Sequence, residues 1–301
     1  MRKNKSEKFK ESLKSWDTEN FLDRHFYRPV AYKFAVLLKN THITPNIVTI
    51  ISIFVGMGGC LMFYPENLVI NLLGFCILVF ANILDCVDGQ LARLTGIKSE
   101  IGRILDGLCG DIWFLTLYTV LTLRLINGDG WGWWTILIAV ASAISHLTQA
   151  GMVDYYKTLH LHFLKGGKDS EFEDSDTIKI KYKSLSWKGA PLSKLFMKLY
   201  QLYTMNQEFR KPNLRRFMKQ LKVKYPEGYS EDMIFKFREK SLKMMPLLDS
   251  FTFNARSVVI LATLILNIVW IYFAIEILIL NPLLVVAIRR HEKMCLELTE
   301  K

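Results

Sequence analysis

The five cysteines of this sequence, Cys60, Cys76, Cys86, Cys109 and Cys295, include no C-x-x-C pair. Four lie in apolar segments. That reads as small packed hydrophobes in a reducing compartment, not as a disulfide framework or a zinc site. His160 and His162 are too close together and too isolated for a metal site. The opening residues, MRKNKSEKFKESLKSWD, have no apolar core, so no cleavable signal peptide is expected there. No internal repeat is evident. No nucleic-acid motif accompanies the basic charge, so nucleic acid is not an expected partner.

What the sequence does hold is split between oil and charge. Of its 301 residues, 51% are hydrophobic and 22% charged, with a formal net charge of +11. The mean hydropathy is +0.19. That is too apolar for an ordinary soluble enzyme and too charged to lie wholly in a bilayer. The combination predicts an all-α, multi-pass membrane protein with polar segments attached.

A spanning helix needs about 20 mostly apolar residues. Six candidates meet or approach that. They are Ile47–Tyr64, a segment from near Leu68 to Asp85, one from Ile112 to about Leu125, Trp131–Tyr155, and two within Phe251–Arg289. The last block is too long for one upright crossing and is split near Ile268–Tyr272. One long tilted helix there is the alternative. Ahead of the first span, Phe26–Asn40 places Val30, Phe34, Leu37 and Leu38 at helical spacing. This predicts a helix lying in the membrane interface, with a plain juxtamembrane linker as the alternative.

Residues 1–44 then form a cytoplasmic N-terminus with that helix. Residues 45–157 hold four membrane helices, and 247–301 hold two more and a tail. Residues 158–246 form a basic cytoplasmic insert. In it, Leu192, Leu195, Phe196, Leu199, Leu202 and Tyr203 make an apolar stripe. Ser230 followed by Glu231 and Asp232 marks a helix start. The acidic run EFEDSD at 171–176 precedes mostly basic sequence. Two or three amphipathic helices are expected there, packed on the bilayer or on the membrane domain.

The Lys/Arg bias sets orientation. Residues 1–44 carry ten Lys/Arg and 157–243 carry twenty, whereas the turns Pro65–Asn67 and Asn127–Gly130 carry none. Both termini, the Asp85–Asp111 linker and the insert are therefore expected on the cytoplasmic side.

The chemistry concentrates in DCVDGQLARLTGIKSEIGRILDGLCGD, Asp85 to Asp111. At about 100° per residue, Asp85, Asp88, Gly89 and Ala92 share one helix face, with Arg93 at its edge. Gly102 and Asp106 repeat the arrangement on the next helix. The connection LTGIKSE is short and polar, which predicts an antiparallel hairpin bringing Asp85, Asp88 and Asp106 together. Carboxylates gathered at a membrane edge repel strongly. They must either take up protons or bind a hard divalent cation. With an arginine alongside, the set reads as a metal–phosphate site. Such acids also mark ion pathways, so a divalent-cation transporter is the non-enzymatic alternative. A transporter gives no reason for Gly89, Ala92, Arg93 and Gly102 at fixed intervals.

These residues resemble the signature of the CDP-alcohol phosphotransferases, D-x2-D-G-x2-A-R-x8-G-x3-D-x3-D. Asp85, Asp88, Gly89, Ala92, Arg93, Gly102 and Asp106 match it. The resemblance covers about 40–155 and, more loosely, 250–290. It implies a six-helix membrane enzyme of phospholipid synthesis that works with two Mg²⁺ or Mn²⁺ ions. A CDP-linked lipid, usually CDP-diacylglycerol, meets a small alcohol, and CMP leaves. By the same resemblance Asp85, Asp88 and Asp106 hold one ion, and Asp85, Asp106 and a fourth Asp hold the other. The fourth Asp is also the general base. Pro45, Asn46, Thr49, Gly89, Ala92, Arg93, Ser99 and Gly102 match contacts to the nucleotide and its diphosphate. Membrane lipid is an expected partner, and the family implies a homodimer.

The last signature position departs. It falls on Gly110, and the acid is Asp111. On a regular helix Asp111 points about 140° from Asp106. A single-turn π-bulge between them would return its carboxylate to the site. The alternatives are a site with three acidic ligands, or a non-catalytic relative. The basic cluster that relatives with phosphorylated polyol acceptors carry on the fourth helix is absent. His146, Gln149, Lys157 and Arg256 are the candidate acceptor contacts. An uncharged or zwitterionic acceptor such as inositol, serine or an amino alcohol is expected, with a phosphorylated polyol as the alternative.

Overall fold

A computed structural model describes residues 5–97, 99–167, 172, 175–187, 189, 191–209 and 211–299. The described chain is helical throughout and divides into two compact units. The first is Met1–Gln149 with Asp249–Asn281; the second is Ala150–Leu248 with Pro282–Lys301.

In the first unit, α1 (Lys5–Glu11) and a π-helical turn at Asp23–Tyr27 lead into α2 (Arg28–Leu38). Then come α3 (Pro45–Leu61), α4 (Leu68–Thr95), α5 (Glu100–Asn127) and the first half of α6 (Thr135–Leu164). After the insert the chain returns as α12 (Phe253–Ile265) and α13 (Trp270–Ala274), followed by π-helical turns at Ile275–Leu280.

Four helical stretches are long and apolar enough to cross a membrane: Leu68–Thr95, Leu105–Asn127, Thr135–Leu164 and Trp270–Thr299. The other two expected spans are apolar but shorter, 17 residues in α3 and 13 in α12. At about 1.5 Å per residue they reach about 26 and 20 Å, against about 30 Å of hydrocarbon. The break expected near 268–272 lies just before that point, at Leu266–Val269, where Asn267 takes a left-handed φ of 54°. The single long helix is thereby excluded. Asp85 and Asp106 also lie on the long helices themselves. Only residues 96–99 separate α4 from α5.

Glycine sets how closely these helices approach. A Cβ on Gly59 would lie 2.8 Å from the Gly74 carbonyl oxygen, and one on Gly74 would lie 2.7 Å from that of Gly59. The backbones of α3 and α4 therefore touch, as small residues permit in apolar surroundings. One turn earlier, the Trp113 indole of α5 fills the notch at Gly56, and its Nε1 donates to the Ser52 carbonyl at 3.2 Å. Phe63, Leu78, Leu117, Leu121 and Tyr272 complete the core around this junction. At the far end of α5, Arg124 is buried. It donates to the Phe63 carbonyl and Asn71 Oδ1, both at 2.8 Å, and to Asn267 Oδ1 at 2.6 Å.

In α2 the expected apolar face divides. Ala31 and Ala35 are fully buried against α4, with Ile83, Val87 and Leu91, while Val30 and Leu38 touch the margin of that cluster. Phe34 and Leu37 are exposed. Two alanines let the helix sit close, and the larger side chains turn outward.

The second unit holds the rest of α6, then α7 (Ser175–Ser184), α8 (Pro191–Phe209), α9 (Pro212–Lys224), α10 (Glu231–Leu242) and α11 (Met245–Asp249). It closes with most of α14 (Asn281–Thr299). Its core is aromatic: the Phe163 ring stacks on Phe237 at 3.6 Å and on Tyr229 at 4.7 Å. His160 pairs with Ser241 and His162 with Tyr229. Ser230 caps α10 as expected, accepting from the Met233 N–H. Of the predicted stripe, Leu195 and Leu202 are exposed, and the side chains of Leu192, Phe196, Leu199 and Tyr203 lie outside the described residues. So do Lys98 and residues Glu171, Glu173 and Asp174 of the acidic run 171–176.

The notch at Gly56 yields a prediction. A Cβ there would fall 2.2 Å from Trp113 Nε1, whereas one on Gly58 meets nothing within 4 Å. Gly56→Ala should lower stability by ~1–3 kcal/mol through overpacking. Thermal unfolding in detergent should show a lower midpoint for it and an unchanged one for Gly58→Ala.

Candidate metal centre

The site is built by a hairpin of two long helices. Gly96, at φ 73°, closes α4 in the left-handed conformation, with its N–H on the Ala92 carbonyl. Ser99 opens α5 three residues later, its hydroxyl accepting from the Gly102 N–H at 2.9 Å. Glycine after the last turn and serine before the first are the residue types these ends favour. The tight return brings Asp85, Asp88 and Asp106 side by side, with one carboxylate oxygen from each lying within 4.8 Å of the others.

The cluster grades from interior to surface. Asp88 is 3% exposed, Asp85 half-buried and Asp106 exposed. Asp85 Oδ1 is buried and has no hydrogen-bond partner among the described residues. A buried acceptor without a donor is costly, and three anions at this separation repel. A cation removes both penalties. The donor set is carboxylate oxygen alone, which suits a hard divalent ion. These three residues could therefore hold one metal ion.

Around the carboxylates, the expected nucleotide residues make a rigid frame. Pro45 opens α3, and Asn46 exchanges hydrogen bonds with Ser99 at 3.1–3.2 Å. Gly102 is needed for that pairing, since a Cβ there would fall 2.3 Å from Asn46 Oδ1. Thr49 bonds the Pro45 carbonyl at 3.1 Å and donates to Asp88 Oδ2. Thr49 thus orients a carboxylate. Ala92 is half-buried. Arg93 lies over Gly89, whose Cβ would sit 3.2 Å from Arg93 Nη2.

Three participants are not visible in the sequence. Arg93 Nε donates to the Ser12 carbonyl, and the buried Gln90 donates to the Ser12 hydroxyl at 3.1 Å. Residue 12 is thereby clipped to the helix that carries the signature. The third is Ser52, whose hydroxyl lies 3.2 Å from Cys109 Sγ. These contacts join segments up to 81 residues apart, and no local spacing announces them.

Position 111 overturns one expectation. α5 is regular α-helix from Glu100 to Asn127, with no π turn between Asp106 and Asp111. A Cβ on Gly107 or Gly110 would meet nothing within 4 Å, so no crowding forces the backbone out of register there. Asp111 keeps its direction away from Asp106. It faces α6, with Oδ1 3.6 Å from His146 Nε2. The His146 ring packs 4.3 Å from Phe114, and its Nδ1 is buried without a partner among the described residues.

The remaining acceptor candidates fare differently. Arg256 is 2% exposed and fully engaged. It donates to Gln149 Oε1 at 2.6 Å, to the Phe251 carbonyl at 3.0 Å and to the Glu276 carboxylate. Gln149 in turn donates to Asn281 Oδ1 at 2.8 Å. Gln149 and Arg256 thus tie α6, α12 and the Glu276 segment into a buried knot. Glu276, a lone acid in an apolar block, is the sequence signal for it. Lys157 belongs to the second unit.

Comparison with known proteins agrees with this geometry. Residues 42–181 match the family described as CDP-alcohol phosphatidyltransferase. A phosphatidylinositol phosphate synthase of Mycobacterium tuberculosis is 29% identical over 92 residues, 31% of this chain and 42% of that protein. An archaetidylinositol phosphate synthase of Pyrococcus horikoshii is 39% identical over 69 residues, 23% of this chain and 35% of that protein. An uncharacterized protein of Aquifex aeolicus is 35% identical over 65 residues, 22% and 32% of the two chains. The chain thus spans about a third to two fifths of the length of these relatives. Hairpin, carboxylate cluster and signature all fall inside residues 42–181, the part of the chain that carries the CDP-alcohol phosphatidyltransferase domain match.

Proposed function

We propose that this protein transfers a phosphatidyl-type group from a CDP-linked lipid, such as CDP-diacylglycerol, to a small alcohol. The observation that carries the reading is the convergence of Asp85, Asp88 and Asp106 within 4.8 Å on the signature hairpin. The acceptor oxygen forms a bond to the lipid-bearing phosphorus, the bond from that phosphorus to CMP breaks, and the hydroxyl proton passes to a base. A pair of Mg²⁺ or Mn²⁺ ions drawing on these carboxylates would stabilise the attacking and leaving oxygens.

The chain's own groups have separate tasks. Thr49 holds Asp88 in place. Asn46, Ser99 and Gly102 shape the frame beside the carboxylates, and Gly89 lets the Arg93 guanidinium lie flat against α4. Arg93 is the group to pair with the donor's diphosphate, which would compete with its bond to Ser12. Asp111, which faces His146 at 3.6 Å and not Asp106, would take the proton of an acceptor seated between α5 and α6. Open space above Gly107 and Gly110 gives the acceptor room on this side of α5. The site is proposed to face the cytoplasm, with both termini, in a homodimer.

The acceptor is proposed to be uncharged or zwitterionic: inositol, serine or an amino alcohol. Arg256, the buried cation nearest in role to an acceptor-phosphate contact, is already neutralised by Glu276. A second reading, a phosphorylated polyol such as inositol phosphate, is favoured by the names of the mycobacterial and archaeal relatives. Incubating purified protein with CDP-diacylglycerol, Mg²⁺ and each alcohol in turn separates these. CMP release that depends on one alcohol names the acceptor. Metal uptake into vesicles with no CMP from any alcohol would replace the proposal with transport.

Two substitutions test the residues. Asp85→Asn should lower CMP release by more than about 100-fold, beyond what changes behind the ligand sphere cost; near-normal turnover would remove Asp85 from the site. Asp111→Asn should also suppress turnover, by about 10²–10⁴-fold if it is the general base. Because a side chain at 110 has room, Gly110→Asp combined with Asp111→Asn should recover a measurable part of the activity. Full activity in Asp111→Asn alone would end the assignment.

A further inference from the structure

The N-terminal segment reaches the signature helix through one residue. Ser12 follows α1 and is 0% exposed, with Leu13 buried beside it. The Ser12 N–H and hydroxyl both return to the Phe9 carbonyl, at 3.0 and 2.6 Å. The hydroxyl also accepts from Gln90 Nε2 at 3.1 Å, and the Ser12 carbonyl accepts from Arg93 Nε. One turn back along α1, the Phe9 ring meets Tyr32 of α2 edge-on, with 5.4 Å between centroids.

The two ends of this segment are held differently. At the far end, Glu19 is buried and pairs with Arg28 at 3.0 Å, and Asn20 Oδ1 accepts from Asn254 Nδ2 at 2.7 Å. These contacts tie residues 19–20 to α2 and α12. Residues 12–20 contain turns and bends but no helix. Lys10 and Lys14, which flank the buried pair, are exposed. With only seven residues, α1 is too short to persist as a helix once it leaves its packing. The polar contacts that hold it to α4 use a neutral carbonyl and a hydroxyl. A diphosphate offers Arg93 anionic oxygens in a geometry suited to two parallel bonds, and is the stronger partner.

On the reading of Arg93 as the partner of the donor's diphosphate, we infer that residues 5–13 are an autoinhibitory strap. While the Ser12 carbonyl holds Arg93, the guanidinium is withheld from the donor. Donor binding takes Arg93 over and lifts the strap about its fixed end at Glu19 and Asn20. The coupling is reciprocal: a strap that weakens donor binding is itself loosened by the donor, by the same factor.

Two readouts test this on the full chain in detergent with Mn²⁺ present, and neither needs turnover. In equilibrium dialysis, Phe9→Ala and Ser12→Ala, which loosen the strap and leave Arg93 itself unaltered, should each bind CDP more tightly than wild type. The gain should be about two- to tenfold, the worth of one such contact. Lys236→Ala, at an exposed position on α10, should bind CDP as wild type does. In hydrogen exchange, saturating CDP should speed exchange at the Ser12 and Leu13 N–H groups of the wild type. Unfolding temperatures without ligand verify that the variants fold. Unchanged or weaker CDP binding in either variant, or exchange at Ser12 and Leu13 that CDP does not speed, overturns the strap while leaving donor binding by the wild type intact. A folded wild type that binds no CDP overturns the donor reading, and the strap with it.

Discussion

Mutual repulsion among three carboxylates is the constraint around which the first unit is arranged. Asp85, Asp88 and Asp106 are brought within 4.8 Å by a hairpin with almost no slack. Charges that close, with one oxygen buried and unpartnered among the described residues, are tolerated when a cation shares them. The surrounding packing then reads as support for that arrangement. Backbone contact at Gly59 and Gly74 fixes α3 on α4, and Trp113 in the notch of Gly56 fixes α5 on α3. Thr49 and Asn46, both on α3, reach the carboxylate frame only because those two junctions hold.

Much of this is legible in the sequence, because helix geometry turns spacing into direction. The stripe Asp85, Asp88, Gly89, Ala92 and the repeat Gly102, Asp106 predict convergence with no tertiary information. The break near Ile268 is legible from the length of an apolar block. The number of full-length spans is not, since α3 and α12 carry the right composition on too few residues. The π-bulge follows from the signature's spacing alone. It fails because the helix ladder of α5 has no local reason to break, and Asp111 finds His146 on the facing helix instead. On α2 the spacing nominates Phe34 and Leu37, which are exposed, whereas the face packed on α4 is made by Ala31 and Ala35, which hydrophobic spacing does not single out.

Contacts of long sequence separation stay invisible. Nothing around Ser12 suggests that it meets Arg93 and Gln90. Gln149 offers itself as an acceptor contact by its place on the fourth helix, and Arg256 as a cation in place of the basic cluster absent there. Here each satisfies the other, with Glu276 completing the set. A polar residue in a membrane helix therefore has two uses, ligand and internal tie, and only its partners distinguish them.

The proposed transfer requires a divalent ion on the hairpin, and its binding can be read without substrate. Mn²⁺ titrated into the detergent-purified chain and followed by electron paramagnetic resonance should show saturable binding. That binding should be abolished by Asp88→Asn and kept by Lys236→Ala. Absence of bound Mn²⁺ in the folded wild-type protein, or binding that survives Asp88→Asn unchanged, would contradict it.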